Sequence, residues 1–178
     1  MRHPLESIPA ARRKLVLSVL LAITFALMAV LLSVDRFFPP GIVAFEFARG
    51  DDAARMMSGW DATARAFVGF SLGLDYVYLC AYSCTIGLAC IMVGETLRER
   101  GAPAVASMAI AFAWMQWLAA ACDAIENAAL LHTLTRNYPR MDSVSWACAS
   151  AKFALVALGV LYVIVGGGLA LAMRLRSR

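Results

Sequence analysis

Charged side chains are scarce in this sequence. Asp, Glu, Lys and Arg make up 16% of its 178 residues, while hydrophobic residues make up 62%. Soluble domains have about 25% charged and about 45–50% apolar residues, so the composition excludes an ordinary soluble domain. It predicts an integral membrane protein with the lipid bilayer as a partner, and the length fits one domain over residues 1–178. The net charge of +4 comes without a basic patch interleaved with aromatic residues, so we expect no nucleic-acid partner.

Histidine and paired cysteine, which many metal and redox sites need, are also in short supply. The two histidines, His3 and His132, do not follow a glutamate at the Glu-x-x-His spacing of di-iron bundles. The five cysteines form no C-x-x-C pair and lie in apolar runs, where a thiol behaves as a small hydrophobic group. We therefore expect no metal and no cofactor. The acids alone leave an oxygen-liganded calcium or magnesium site open, on weak grounds.

Long hydrophobic runs, in contrast, are abundant. Four segments reach the length of about 20 residues that a membrane helix needs. They cover about residues 15–34, 66–94, 105–133 and 147–173. The first is longer than the core of a signal peptide, about 7–15 residues, and has no convincing cleavage site after it, so we expect it to be retained. The predicted fold is all-α, a four-helix bundle that spans the membrane.

The connection between the first two spans has an unusual composition. Residues 41–64 are rich in Phe, Met and Trp, which is not typical of a loop exposed to water. The Pro-Pro-Gly sequence at 39–41 ends the first helix, and the Asp pair at 51–52 is placed to cap a short helix. We predict an amphipathic cap over the outer end of the bundle.

Lys and Arg are divided unevenly between the two ends of the predicted bundle. Nine of the sixteen flank the helices at the end that carries both termini, and six lie in longer segments at the other end. Because positive residues favour the cytoplasmic side, we expect both termini to be cytoplasmic.

Ionisable residues fall inside three of the predicted spans. With a rise of 1.5 Å per residue, Asp75 lies about 14 Å and Asp123 about 15 Å from the outer ends of their helices. By the same measure Glu126 lies about 10 Å and Lys152 about 8 Å from the outer end. All four are therefore placed in the outer half of the bilayer, on the same side as Glu46 in the cap.

Helical spacing gathers these residues on shared faces. A polar stripe on the third helix consists of Gln116, Asp123, Glu126 and Asn127. A second stripe, on the second helix, consists of Ser71, Asp75, Tyr78 and Tyr82. We expect the stripes to face each other inside the bundle, because a charged side chain at the centre of a span costs about 2.5–3.5 kcal/mol.

Acids outnumber bases at this depth, where three acids meet one lysine. A buried charge without a partner neutralises or acquires a counter-ion, so the stripes predict a polar pocket that holds a proton or a cation. The candidate ligand-binding residues are Asp75, Asp123, Glu126, Asn127, Lys152, Tyr78, Tyr82, Gln116 and Glu46. A structural role fits the same residues, since interhelical hydrogen bonds stabilise membrane proteins by about 0.6–2 kcal/mol each.

Three stretches of the sequence carry a family resemblance: FFPPGIVAFEFA, SLGLDYVYLCAYS and CDAIENAALL. They resemble an uncharacterised family of bacterial four-span membrane proteins, with an L-D-Y/F motif on the second helix and a D-x-x-E-N motif on the third. The resemblance implies the four-helix architecture and the bacterial inner membrane, and it implies no activity. The motif residues correspond to Asp75, Asp123, Glu126 and Asn127.

A looser resemblance, in topology, is to the EXPERA family, which includes the sigma-2 receptor and the emopamil-binding sterol isomerases. Members hold an amphiphilic cation or a sterol carbocation against intramembrane acids, which by position would correspond to Asp35 and Asp75. This sequence departs from that family because Asp35 lies at a helix end and because the second helix has Asp in place of Glu.

Several functions remain open. The first is a binding protein for a small amphiphilic or cationic ligand, with its head near the acids and Tyr78 and Tyr82 offering cation–π contact. The second is an isomerase of lipid or sterol-like substrates that uses a protonated acid as donor. The third is a proton- or cation-coupled transporter, acting as a homodimer, and the fourth is a structural subunit of a membrane complex.

Overall fold

The computed structural model describes residues 2–136 and 142–176. Within those ranges the regular secondary structure is entirely helical, which confirms the all-α prediction. The α-helices are α1 (Ala10–Val34), α2 (Ile42–Phe47), α3 (Asp51–Ser58), α4 (Ala62–Glu99), α5 (Pro103–Ala106), α6 (Ala109–Arg136) and α7 (Asp142–Arg176).

Four of these helices, α1, α4, α6 and α7, are long and apolar enough to cross a membrane. The chain therefore has the build of a polytopic membrane protein. Each of them extends beyond its predicted span at one end or both. Helix α4 has 38 residues, or about 57 Å at 1.5 Å per residue. This length exceeds a hydrocarbon core of about 30 Å. The added turns of α4 begin at Asp61, whose side chain accepts a hydrogen bond from Ala64 N at 2.7 Å and caps the helix.

Helix α4 lies at the centre of the bundle. Helices α6 and α7 pack on α4 and on each other, whereas α1 packs mainly on α4, with few contacts to α6 or α7 in the described part of the chain. A hydrogen bond of 2.9 Å between the hydroxyls of Thr24 and Thr85 joins α1 to α4. Since the apolar span of α1 is not buried, three helices form the core and α1 flanks it.

The predicted cap is present as α2 and α3, which lie over the ends of α4 and α6. Its core is built around Trp60, whose ring meets Phe45 and Phe38 edge-on at centroid distances of 5.0 and 6.0 Å. The indole Nε1 of Trp60 donates to Pro39 O at 3.1 Å. These rings pack with Leu130 of α6 and with the first turns of α4, so the cap is part of the folded core.

The path into the cap depends on a turn at Gly41. This residue has φ of 100°, a conformation that favours glycine. Oδ1 of Asp35 accepts a hydrogen bond from Ile42 N at 3.2 Å and thereby supports the start of α2. The acid that the EXPERA resemblance would place at a ligand thus serves the backbone of the cap in this structure.

The opposite end of the bundle is closed by the N-terminal segment. Arg13 is buried there and donates to Ile8 O and to Glu6 O, each at 2.8 Å. Its guanidinium also forms an ion pair with Glu95 near the end of α4. Arg13, one of the nine positive residues counted at this end of the bundle, therefore holds the N-terminal segment against α4.

Candidate functional site: a buried carboxylate cluster

Four helices bring together four acids and one lysine. Asp75 lies thirteen residues from the start of α4 and Asp123 thirteen residues from the end of α6, which places both about 20 Å from the cap end of their helices. Lys152 lies about 15 Å from the start of α7. Because the cap ends of these helices are neighbours, the residues meet at one level, and α2 contributes Glu46 from above. We call Glu46, Asp75, Asp123, Glu126 and Lys152 the carboxylate cluster.

Lys152 stands at the centre of the cluster. Its Nζ donates to Asp123 Oδ1 at 2.9 Å and to Glu126 Oε1 at 3.1 Å, and it lies 3.3 Å from Glu46 Oε1. An ammonium group has three donors, and each one faces a different carboxyl group. The structure thus brings Glu46 into contact with the intramembrane residues, which the sequence could place only on the same side.

Two further side chains hold the acids in position. The hydroxyl of Tyr82 donates to Asp123 Oδ2 at 3.0 Å, so both oxygens of this carboxylate have a donor. Nδ2 of Asn127 donates to Asp75 Oδ2 at 2.7 Å and links α6 to α4. The two predicted polar stripes therefore do face each other.

Burial differs across the cluster. Glu126 is 0%, Asp123 2%, Glu46 5% and Lys152 6% exposed. Asp75, in contrast, is half-buried. Tyr78 is half-buried too, and its ring centroid lies 5.4 Å from that of Tyr82. The Asp75 side is therefore the edge at which the cluster approaches the surface of the bundle.

Two carboxylate oxygens in this buried region lack a donor. Among the described residues, Oε2 of Glu46 and Oε2 of Glu126 accept no hydrogen bond. Nζ of Lys152 is 3.0 Å from Oε2 of Glu126, so this oxygen has an ion-pair contact although it accepts no hydrogen bond. Buried acceptors without a donor are uncommon and cost about 1–3 kcal/mol each, so protons or a bound cation would stabilise this arrangement.

The charges of the cluster do not balance. The cluster has four carboxyl groups and one ammonium, so its net charge would be −3 if every member were ionised. Burial raises the pKa of the Glu46 carboxyl; the Lys152 ammonium lowers it and the Asp123 carboxylate raises it again. A neutral cluster therefore needs protons on some of the acids or an added cation.

Gln116 lies apart from the acids. Its Nε2 donates to Leu155 O at 3.1 Å, which ties α6 to α7, and to Phe112 O at 3.4 Å. Oε1 of Gln116 has no donor among the described residues. Gly159 makes room for this side chain, since a Cβ at that position would lie 2.1 Å from Nε2. Gln116 is a predicted ligand-binding residue, but the hydrogen bonds of its amide nitrogen go to backbone oxygens and not to the acids.

The cluster is compact. None of three cavities found on the described part of the chain is lined by its residues. The ring of Phe47 in α2 stacks on Phe153 of α7 at 5.7 Å, next to Glu46 and Lys152. The described residues also include no group of three His, Cys, Asp or Glu side chains arranged for a metal ion.

No protein-family model, curated protein or solved structure matches this chain. The resemblances noted in the sequence thus remain predictions.

Proposed function

We propose that the carboxylate cluster binds the charged head of a small amphiphilic cation, such as an amine with an apolar tail. The observation that carries this proposal is the excess of buried acid over base. The cluster has four carboxyl groups and one ammonium, and among the described residues Glu46 and Glu126 each have an oxygen that accepts no hydrogen bond. A bound ammonium would supply both the missing donors and the missing positive charge.

The half-buried edge of the cluster at Asp75 is a suitable entry point for a ligand with a charged head and an apolar tail. Asp75 and Tyr78 are half-buried, so the head would arrive at this edge and meet the paired rings of Tyr78 and Tyr82. Aromatic faces attract cations, by about 2 kcal/mol or more when water is excluded. Val77 and Phe70 are more than half exposed on the same helix, which gives an apolar tail a surface towards the bilayer.

The cap would have to shift for the head to enter fully, because the cluster is already compact. In this proposal the incoming cation competes with Lys152 for Glu46 and Glu126. Loss of the contact between Lys152 and Glu46, now 3.3 Å, would loosen α2 from α7. Binding would then be coupled to the position of the cap.

We further propose that the protein lies in a bacterial inner membrane with both termini in the cytoplasm, in keeping with the excess of Lys and Arg at that end. The cluster would then face the outer side. Accessibility of a cysteine introduced at Ser58 in the cap, to a reagent that cannot cross membranes, tests this orientation in intact cells. If Ser107→Cys were labelled and Ser58→Cys were not, the orientation would be the opposite one, with both termini outside the cytoplasm.

The binding proposal is tested by thermal unfolding of the detergent-purified chain with a panel of amphiphilic amines and their neutral alcohol analogues. A ligand at a hundred times its Kd stabilises by about 2.7 kcal/mol, so an amine should raise Tm by several degrees while its alcohol analogue should not. Asp75→Asn and Asp123→Asn should abolish the shift. Asp51→Asn, in the exposed part of the cap, is the matched control and should retain it.

Two results would count against binding. If no amine shifts the wild type and both cluster variants only melt earlier, the acids serve to hold the helices together, as in a structural subunit. If an amine stabilises the wild type and both variants equally, its site lies elsewhere in the chain.

A further inference from the structure

A separate crevice lies at the end of the bundle that carries both termini. It opens between α1, α4 and α7 because α1 and α7 both pack on α4 with little contact between them in the described residues. Its volume is about 380 Å³, within the size range of small-molecule sites. The walls are mainly apolar and include Leu17 of α1, Ala89 and Val93 of α4, and Val163 of α7.

Positive charge is concentrated at one end of this crevice. Arg100, which follows the last residue of α4, and Arg174, in the last turn of α7, both line it. Each lies eleven residues beyond the deepest wall residue of its own helix, Ala89 or Val163, which corresponds to about 16 Å. The crevice therefore combines a cationic mouth with an apolar interior that runs into the membrane span.

We propose that this crevice binds one phospholipid with an anionic headgroup. Its phosphate would lie at Arg100 and Arg174, and one acyl chain would lie along the apolar walls. Burial of the chain gives little selectivity, because bilayer lipid is as apolar as these walls. Selectivity comes from the headgroup, since each basic residue near the membrane surface raises the affinity for an anionic lipid by a factor of about five.

Gly167 gives a way to close the crevice without disturbing the fold. It lines the crevice, and a Cβ at this position would meet no atom within 4 Å. Its neighbour Gly168 is equally open around a Cβ but does not line the crevice. Gly167→Leu and Gly168→Leu thus form a matched pair, in which only the first fills the lipid position.

The experiment is native mass spectrometry of the full chain, released from detergent in the presence of phosphatidylglycerol or phosphatidylcholine. We expect one phosphatidylglycerol to be retained at least tenfold more than phosphatidylcholine. Arg100→Gln and Arg174→Gln should each lower that retention about fivefold, and Gly167→Leu should abolish it. Arg98→Gln, the same charge change at the same end but outside the crevice, and Gly168→Leu should leave it unchanged.

Three results would overturn the proposal. Equal retention of the two lipids would show that the arginines do not select an anionic headgroup. An equal loss on Arg98→Gln would show a general effect of charge rather than a site. Displacement of the lipid by millimolar inorganic phosphate, with no effect of Gly167→Leu, would indicate a site for free anions instead of a lipid.

Discussion

Nζ of Lys152 lies 3.3 Å from Oε1 of Glu46, so a lysine within a membrane span is paired with an acid of the cap. The same nitrogen donates to Asp123 and Glu126 of α6. The cap, α6 and α7 are thus joined at one atom. Since an ion pair in a buried setting depends on the protonation of every neighbour, the charge state of the cluster and the position of the cap are linked.

Removal of Lys152 should destabilise the bundle more than any other loss of a positive charge. Lys152→Met leaves three carboxyl groups without their shared donor, and breaking a buried ion pair in this way costs about 3–5 kcal/mol. The free energy of unfolding in detergent, from a denaturant titration, measures the loss. The chain has one other lysine, Lys14, which is exposed on α1. Lys14→Met should change the stability by less than about 0.5 kcal/mol, and a similar loss in both variants would contradict a central role for Lys152.

Glu46 should make stability depend on pH. Its pKa is raised in the fold by burial, against the pull of Lys152, so the folded protein holds this proton more tightly than the unfolded chain. The contribution of Glu46 to stability must then decrease as pH rises from its ordinary pKa, about 4.3, to the raised value. Glu46→Gln cannot titrate, so the stability of the wild type relative to this variant should be higher at about pH 5 than at about pH 8.

The direction of this pH dependence is tested by thermal unfolding of the wild type and of Glu46→Gln between about pH 5 and about pH 8. Circular dichroism monitors the unfolding. Glu99→Gln alters an exposed acid at the other end of α4 and should run parallel to the wild type. A relative stability of the wild type that increases with pH would mean that the pairing with Lys152 outweighs burial.

Tyr82 should stabilise the packing of α4 against α6 through its contact with Asp123. Its hydroxyl donates to Oδ2 at 3.0 Å, and Tyr82→Phe removes this donor with little change in shape. We expect a loss of about 0.6–1.7 kcal/mol, as for other hydrogen bonds between membrane helices. A double-mutant cycle with Asp123→Asn should give a coupling energy of similar size.

The comparison for Tyr82 is Tyr76, an exposed residue of the same helix whose hydroxyl donates to Ala124 O at 3.0 Å. Tyr76→Phe should show no coupling to Asp123→Asn. If Tyr82→Phe and Asp123→Asn were additive, the contact would contribute nothing to stability.

The four spans could be predicted because an apolar run of membrane length has few alternatives to a helix. The ends of the helices could not be predicted in this way, because the apolar run ends near the membrane surface while the helix continues beyond it. Thus α4 begins at the cap of Asp61 and includes polar turns that a hydropathy argument leaves out.

The cluster was only partly predictable, for a physical reason. Spacing on α6 places Asp123, Glu126 and Asn127 on one face, but it places Gln116 there too. Two turns of helix separate Gln116 from Asp123, and its Nε2 donates to backbone oxygens of α6 and α7 instead. Periodicity assigns a residue to a face; it does not assign its partner.

The position of Glu46 and the crevice between α1, α4 and α7 depend on how distant segments of the chain pack together. The route of the chain through Gly41 carries α2 over α7, and nothing local to Glu46 indicates this. The crevice exists because α1 and α7 lie on different parts of α4. Such relations follow from tertiary packing, which a pattern along one helix does not contain.

Gly159 of α7 shows how closely the core helices approach. A Cβ there would lie 2.1 Å from Nε2 of Gln116 and 3.1 Å from Cγ2 of Ile86. Gln116 is fully buried and held by its bond to Leu155 O, so it has little freedom to move away. Gly159→Ala should therefore lower the free energy of unfolding by about 1–3 kcal/mol, the usual cost of overpacking.

The destabilisation of Gly159→Ala by its clash with Gln116 can be distinguished from the backbone effect of replacing a glycine. Gly168→Ala adds the same methyl group to the same helix in open space, and it should be neutral or stabilising by up to about 1 kcal/mol. Gln116→Ala combined with Gly159→Ala should be less destabilised than the sum of the two single variants, because the clashing amide is gone. Additive losses in this cycle would mean that Gly159 is needed for the shape of α7 rather than for its approach to α6.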